Sequence, residues 1–265
     1  MLSFWDRRAE FVSLTLMAFI AACGGGGGGA SGDSASGGSA EGTMAAVVDE
    51  STAATITGAV AFSGAPVEAK AIDMSEESVC ADKYSMPPMT QRVVVNDNGT
   101  LRNVFIYVKE GLGDLTFPTP SEPVVLDQDG CRYHPHVFGV QVGQDITIKN
   151  SDGVLHNINS KPSENRGFNI SQPVVMETTR SFRTPEIGIP LECDVHGWMQ
   201  AYVSVVEHPY FAVTGEDGSF SLTPLPPGTY VIEAWHDVYG TATQEVTVGE
   251  NEEAEIAFTF GDAAA

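Results

Sequence analysis

The chain has 265 residues, a formal net charge of −22 and 42% hydrophobic residues. This length allows one or two domains of ordinary size, each with a core of its own. So strong an acidic excess argues against nucleic acid as a partner. It favours either a solvated acidic surface or a partner with a positively charged face.

The first 22 residues are typical of a signal peptide. Arg7 and Arg8 precede the 12-residue apolar stretch "FVSLTLMAFIAA", which is too short to span a bilayer. The sequence "IAAC" that ends this stretch resembles the lipobox of bacterial lipoproteins. That resemblance implies that Cys23 is acylated and anchors the protein on the periplasmic side of the cell envelope. Gly24 follows where an aspartate would indicate retention in the inner membrane, so we expect the outer membrane.

Residues 23–54 are rich in Gly, Ser and Ala. Such a composition contains too few apolar side chains to offset the entropy of ordering the chain. We therefore predict a flexible tether between the lipid and a folded part that begins near Thr55.

The remaining sequence predicts an all-β fold. Short runs of branched and aromatic residues, such as "TITGAVAF", "VFGVQVGQDITIKN" and "GTYVIEAW", alternate with Gly, Asn, Asp and Pro. Asn98-Gly99 lies between two such runs and is typical of a tight hairpin turn. Long amphipathic helical patterns are missing from the sequence, and a boundary is expected near residues 207–220.

The last fifty residues contain "DGSFSL", "LPPGTYVIEAW" and a closing "EVTV" run. These segments resemble the carboxypeptidase-regulatory-like, transthyretin-like β-sandwich. The resemblance implies a small sandwich over residues 209–261, for which the fold by itself implies no activity.

A group of soft metal ligands stands out in "LECDVHGWMQAYVSV": Cys193, His196 and Met199 are each three residues apart. Thiolate, imidazole and thioether together suit copper, for which a His₂Cys site with a weak axial Met is a known arrangement. Zinc is the main rival metal, although it rarely takes a thioether. The second imidazole is predicted to be His156, which follows the alternating run "VQVGQDITIKN".

The segments "GQDITIKNSDGVLHNI" and "CDVHGWM" resemble the two ligand-bearing segments of cupredoxins, the blue copper proteins. The ligand spacing is most similar to that of amicyanin, and "CRYHPHV" and "HPYFAVT" resemble methylamine-utilisation-like envelope cupredoxins. The resemblance implies a cupredoxin-like Greek-key β-sandwich over residues 55–208 with one type 1 copper. Its ligands would be His156, Cys193, His196 and Met199.

The same resemblance assigns roles around the metal. Asn157 would hold the loop that carries Cys193, and Trp198 would shield the site from water. His196 would lie nearest the surface and serve as the exit route for the electron. Met199 would be the weak axial ligand that sets the potential.

Two further cysteines, Cys80 and Cys131, remain once Cys23 is acylated and Cys193 binds metal. In an oxidising envelope compartment a disulfide is the simplest expectation for them. The alternative is a second metal site made of these two cysteines with His134 and His136.

We see no motif of a phosphate-binding loop, a nucleophile elbow or a zinc protease, and we therefore predict an electron carrier rather than an enzyme. Its partner would be another redox protein, such as a cytochrome or a dehydrogenase. The alternative from another class is an envelope module that binds copper or carbohydrate without electron transfer. A copper enzyme such as a reductase would need a second copper site.

Overall fold

A computed structural model describes residues 48–65 and 67–261 of the chain. The predicted signal peptide, the lipidation site Cys23 and most of the predicted tether lie outside these residues. The described residues belong to one compact unit. Among them, no helix is long and apolar enough to cross a membrane.

Strands dominate the described residues, and the helix α1 (Ser78–Ala81) is four residues long. The strands are β1 (Ala54–Phe62), β2 (Phe105–Glu110), β3 (Val124–Gln128), β4 (Tyr133–His134), β5 (Val137–Gln141), β6 (Ile146–Asn150), β7 (His156–Ser160), β8 (Asn169–Gln172), β9 (Met176–Arg180), β10 (Glu186–Glu192), β11 (Gln200–Val206), β12 (Phe211–Val213), β13 (Ser219–Leu225), β14 (Gly228–His236), β15 (Gly240–Val248) and β16 (Glu253–Phe260). The predicted all-β class is confirmed.

Residues 124–206 form a first β-sandwich of two sheets. The five-stranded sheet has the order β5-β11-β10-β7-β8, and the four-stranded sheet has the order β4-β3-β6-β9. Strand β5 is buried along its whole length, whereas β6 alternates between buried and more exposed residues, with Ile146 and Ile148 buried on one face. These residues pack with Leu126 from β3 and with Leu191 and Val203 from the other sheet. The first core therefore lies between the two sheets.

A second β-sandwich is built from the sheets β13-β1-β16 and β12-β2-β14-β15. Its core includes Ile56 of β1, Ile106 of β2, Ile232 of β14 and Phe258 of β16. The strands β1 and β2 come from the range predicted for the first domain but pair with the C-terminal strands. In particular, β1 runs parallel to β16 along its length. The domain limits 55–208 and 209–261 stay predictions. The structure adds that β1 and β2 belong to the sheets of the second sandwich.

The two sandwiches meet at a small apolar cluster that includes Phe105, Val137 and Val206. Gly188 lies beside this cluster, at an irregularity in the pairing of β10 with β11. Its φ angle is +70°, and a Cβ atom there would lie 2.2 Å from Trp235 Cζ2. Only glycine combines this backbone conformation with so close an approach of an aromatic ring.

Gly188→Ala is therefore expected to lower the free energy of unfolding by about 2–4 kcal/mol, because left-handed backbone strain and a steric clash add together. Chemical denaturation monitored by circular dichroism measures the change. Gly215→Ala is the matched control, since a Cβ atom at Gly215 meets nothing within 4 Å. Equal stability of the two variants would contradict the packing of Trp235 on Gly188.

His208 lies between strands β11 and β12 and is half-buried. Its ring stacks on Tyr210 with 5.9 Å between centroids and meets Phe117 edge-on at 6.5 Å. Burial lowers the pKa of His208 to about 4, although a backbone hydrogen bond with Val108 works in the opposite direction. The folded protein therefore holds this imidazole neutral at pH values where an unfolded chain protonates it.

The stability that His208 contributes should be fully present above pH 6.5 and lost as the pH falls from about 6.5 to about 4. Below the ordinary pKa of histidine the unfolded state binds the extra proton, so the free energy of unfolding falls with pH. His208→Gln should reduce this loss by about 1–3 kcal/mol across the interval. Denaturant titrations at several pH values measure it, with the exposed His134→Gln as control. Parallel pH profiles for wild type and His208→Gln would refute the assignment.

Candidate metal centre

The predicted ligands lie at one end of the five-stranded sheet. His156 is the first residue of β7, Cys193 directly follows β10, and β11 begins at Gln200 just after Met199. Because β7, β10 and β11 are neighbours in this sheet, their ends bring the three segments together. The turn between β10 and β11 is closed by hydrogen bonds from Met199 N to His196 O at 2.9 Å and from Cys193 N to Met199 O at 3.2 Å.

Two histidines and a cysteine converge at this end. His156 Nδ1 and His196 Nδ1 are 2.9 Å apart, and Cys193 Sγ is 3.9 Å from His196 Nδ1. All three ligand atoms lie within 4.8 Å of one another. The exposed fractions are 0% for His156 and 3% for the other two residues, so water has little access to the group.

A carboxylate determines the tautomer of His156. Asp152 Oδ2 lies 2.8 Å from His156 Nε2, and the side chains of both residues are fully buried. A carboxylate accepts hydrogen bonds, so Nε2 of His156 carries the hydrogen and Nδ1 presents its lone pair to the site. This is the arrangement in which a carboxylate orients a metal-binding histidine.

Asp152 is itself held by three other groups. Its carboxylate accepts hydrogen bonds from the backbone nitrogens of Gly130 and Cys131, both at 2.7 Å, and pairs with Lys83 Nζ at 2.7 Å. Burial by itself raises the pKa of Asp152, but the hydrogen bonds from His156, Lys83 and the backbone outweigh it and lower the pKa. Asp152 therefore stays ionised and continues to orient His156.

Asn157 holds the cysteine-bearing segment. Its Oδ1 atom accepts a hydrogen bond from Asp194 N at 2.7 Å and lies 3.3 Å from Cys193 Sγ, and its Nδ2 atom donates to Asp194 Oδ2 at 2.9 Å. The His196 backbone N–H points to the sulfur at 3.4 Å. Burial raises the pKa of the Cys193 thiol, but hydrogen bonds from His156 and from backbone N–H groups outweigh it and lower the pKa. This environment favours the thiolate, which is the metal-binding form.

The pKa values of the two histidines move in opposite directions. Burial lowers the pKa of His156, but Asp152 and Cys193 raise it overall. Burial lowers the pKa of His196, and the neighbouring His156 lowers it further. His196 is therefore the imidazole that is more easily kept neutral, as a metal ligand must be.

Met199 and Trp198 follow in the same loop. Met199 is 1% exposed and belongs to the core of the first sandwich, together with Cys193. The Trp198 ring lies 5.1 Å from the His196 ring, and its Nε1 atom donates to Cys131 O at 3.0 Å. The roles of Met199 as axial ligand and of Trp198 as shield stay predictions.

The His196 side chain is buried, with an exposed fraction of 3%, and its role as the exit route for the electron stays a prediction. Its outer nitrogen Nε2 faces Cys80 Sγ at 3.9 Å and Glu77 Oε2 at 3.9 Å. We call residues 77–83 the cap segment, since this stretch, which contains α1, lies over the outer edge of His196. Sequence spacing alone gave no indication that a segment more than a hundred residues away would fill this space.

A disulfide joins Cys80 to Cys131 and thereby ties the cap segment to the loop before β4. The two thiols are then not free to form the alternative metal site with His134 and His136. A second group of candidate ligands, Cys131, Asp152 and His156, shares His156 with the first group. Its cysteine sulfur is in the disulfide, so the free thiol of Cys193 is the one available to a metal among the described residues.

Several supporting residues escaped the sequence reasoning. Asp152 stands four residues before His156 in "SDGVLH", and this spacing in a polar turn was a usable signal. Asp194 accepts hydrogen bonds from the side chains of Asn157, Asn159 and Asn169, and the hydroxyl of Tyr133 donates to the Asn157 carbonyl. Asn157 and Asn159 are alternate residues of β7, but Asn169 lies on β8 and Tyr133 on β4, so the sequence gives no local pattern that joins them.

Residues 198–261 match the family model of the carboxypeptidase regulatory-like domain. The match begins inside the ligand loop and includes β11 as well as the last strands. It confirms the resemblance of the C-terminal segment to this family.

The solved structures that are similar to this chain include cupredoxin-like proteins. A purple cupredoxin from Nitrosopumilus maritimus is 21% identical, with 31% of this chain and 98% of that chain covered at a TM-score of 0.27. An oxidized point mutant of amicyanin is 20% identical, with 31% of this chain and 81% of that chain covered at a TM-score of 0.29. The copper-containing nitrite reductase from Thermus scotoductus SA-01 is 18% identical, with 33% of this chain and 23% of that chain covered at 0.31.

This chain thus spans about a quarter of that nitrite reductase. A search of curated proteins finds no match.

The donor set can be tested against candidate metals. Two buried imidazole nitrogens lie beside a thiol whose pKa is lowered, and the three ligand atoms are within 4.8 Å of one another. Imidazole and thiolate suit copper and zinc, whereas calcium and magnesium require oxygen ligands. The residues therefore fit a soft or borderline transition metal.

Proposed function

We propose that this protein binds one copper ion at His156, Cys193 and His196, with Met199 as a weak axial ligand, and carries single electrons. The observation that carries the proposal is the approach of two buried histidine Nδ1 atoms to 2.9 Å beside a buried free cysteine. A His₂Cys group with a nearby methionine is the donor set of electron-transfer copper sites. Bound copper would supply the one-electron redox couple.

The chain's own residues would keep this donor set in place. Asp152 holds the hydrogen on His156 Nε2, so that Nδ1 stays available to the metal. The His196 backbone N–H points to the sulfur of Cys193, and Asn157 holds the cysteine-bearing segment through the hydrogen bond that its Oδ1 atom accepts from Asp194 N. A rigid, buried ligand set changes little between oxidation states, and this lowers the reorganisation that accompanies each electron transfer.

We place the protein in the bacterial cell envelope, held on the periplasmic side of the outer membrane by a lipid on Cys23. In that setting the partner would be a second redox protein such as a cytochrome or a dehydrogenase. The net charge of −22 favours a partner with a positively charged face.

The deciding experiment is the visible and electron paramagnetic resonance spectrum of the copper-loaded protein. We expect an intense absorption near ~600 nm from copper–thiolate charge transfer in a His₂Cys site. Cys193→Ser should abolish the band. His134→Gln is the matched control, because this exposed histidine lies outside the ligand group, and it should keep the band.

A second candidate function is copper binding, or binding of a carbohydrate, without electron transfer. The burial of His196 under the cap segment favours the copper-binding version, since a carrier usually exposes a ligand edge to its partner. A protein that binds copper but stays colourless would support this second function and remove the first. Tighter binding of zinc than of copper, with no colour, would also refute the electron carrier.

A further inference from the structure

A cleft of about 840 Å³ opens beside the ligand loop. One side is formed by Trp198 and Met199 of the first sandwich, and the other by Val238 and Tyr239 of the second. This volume lies within the usual range for small-molecule sites, and a junction between two packed units is a usual place for them. The metal proposal uses Met199 from this wall but gives the cleft itself no role.

The cleft carries positive charge in an otherwise acidic protein. Its lining contains three basic residues, Lys70, Arg92 and Arg132, and one acidic residue, Glu68. Neither Lys70 nor Arg132 has a carboxylate within 4.0 Å among residues 48–65 and 67–261, and Arg92 reaches Asp237 at 3.8 Å. Because the chain as a whole has a net charge of −22, three basic side chains around one concave surface form a local site for an anion.

The remaining wall is apolar and aromatic. Ile72, Val93 and Val238 line the cleft together with the rings of Trp198 and Tyr239. The Trp198 ring is held in place by its hydrogen bond to Cys131 O at 3.0 Å. Such a surface buries the hydrophobic body of a ligand, and its fixed ring offers a face on which another ring can stack.

A buried histidine in the cleft wall has a ring nitrogen without a hydrogen-bond partner among the described residues. His136 lines the cleft and is 8% exposed, and its Nδ1 atom lies 2.9 Å from Gln200 O. The Nε2 atom has no hydrogen-bond partner within the described part of the chain. Buried polar atoms are nearly always paired, so an unpaired one in the wall of a cleft points to a missing partner.

We infer that this cleft binds a small amphiphilic organic anion, with a ring-containing apolar body against Trp198 and Tyr239 and an acid group between Lys70, Arg92 and Arg132. The pairing of basic and aromatic groups within one cleft carries this assignment. Since Trp198 and Met199 also follow His196 in the ligand loop, such a ligand would lie next to the metal centre.

Two fluorescent probes that differ in charge test the inference on the full chain. The anion 8-anilinonaphthalene-1-sulfonate should bind with one-to-one stoichiometry. N-phenyl-1-naphthylamine, the same ring system without the sulfonate, should bind about tenfold more weakly or worse. Added sodium chloride should weaken binding of the anionic probe and leave binding of the neutral probe unaffected.

Variants locate the site. Arg132→Gln and Lys70→Gln should each lower the affinity for the anionic probe by about tenfold, because each removes one charge-assisted contact. The affinity for the neutral probe should not change. Arg166→Gln is the matched control, since Arg166 is an exposed arginine outside the cleft, and it should bind like wild type. Circular dichroism and cooperative unfolding verify that each variant is folded.

Three results would overturn the inference: equal affinity for both probes, unchanged anion binding in both variants, or binding that appears only after residues 23–47 are removed. The last result would mean that the chain's own N-terminal segment occupies the cleft. Cys193→Ser should bind the anionic probe like wild type. Wild-type protein that shows no copper–thiolate band but still binds the anionic probe would refute the proposed function and leave the inference about the cleft intact.

Discussion

Asp152→Ala is expected to lower the free energy of unfolding by about 1–3 kcal/mol and to weaken copper binding by about 10–100-fold. The carboxylate is fully buried between His156 Nε2 at 2.8 Å and Lys83 Nζ at 2.7 Å. Its removal leaves two backbone N–H groups without their acceptor, of which that of the buried Cys131 has no access to water, whereas the partly exposed Lys83 ammonium can be solvated. The imidazole of His156 also loses the partner that orients it.

Asp152→Asn separates these two effects. Gly130 N and Cys131 N donate to different carboxylate oxygens, so the single amide oxygen keeps one of these two hydrogen bonds, while the charge that pairs with Lys83 is lost. The loss of stability should therefore be smaller than for alanine, which keeps neither bond. Copper affinity, measured by competition with a chelator of known strength, should still fall at pH 7. Asp145→Asn is the control because Asp145 is exposed and remote from the ligands. Unchanged copper affinity in Asp152→Asn would show that the carboxylate does not position His156.

The ligand triad was predictable because most of its information is local. Cys193 and His196 stand three residues apart in one loop, and the run that precedes His156 has the alternation of a buried strand. Since residues at adjacent strand ends meet in space, two such segments were enough to predict that His156 and Cys193 come together. The all-β class followed from the same alternation.

The support around the triad was not predictable in this way. Asp152 receives hydrogen bonds from Gly130 and Cys131, and its ion pair comes from Lys83, almost seventy residues earlier in the chain. Non-local contacts of this kind leave no periodic trace in the sequence. For the same reason the alternation in β1 predicted a strand but not its partners β13 and β16, which follow more than 150 residues later.

The cap segment links these unpredicted features to the site. Lys83 pairs with Asp152, Cys80 Sγ lies against His196 Nε2, and the disulfide partner Cys131 accepts the hydrogen bond of Trp198. His196 is thus in direct contact with the cap segment. His156 is linked to it through Asp152, whose carboxylate pairs with Lys83. The disulfide therefore lies at the point where the outer edge of the metal centre is closed to solvent.

Replacing both disulfide cysteines, in Cys80→Ser/Cys131→Ser, is expected to lower the free energy of unfolding by about 4 kcal/mol, since a bond across 51 residues restricts the unfolded chain. The variant should also expose His196, because the cap segment then loses its covalent attachment. Diethyl pyrocarbonate, which acylates accessible imidazoles, followed by peptide mass analysis measures this exposure on metal-free protein. We expect His196 to react in the variant and to be protected in wild type.

His134 is the internal control, because its side chain is exposed in the folded protein and should react equally in both forms. In the copper-loaded variant, electron exchange with a small inorganic oxidant such as ferricyanide should be faster than in wild type, since the oxidant reaches the edge of His196 directly. If His196 reacted equally in both proteins, the cap segment would not be what shields it. If exposure rose but electron exchange did not, the electron would leave the site by a route other than His196.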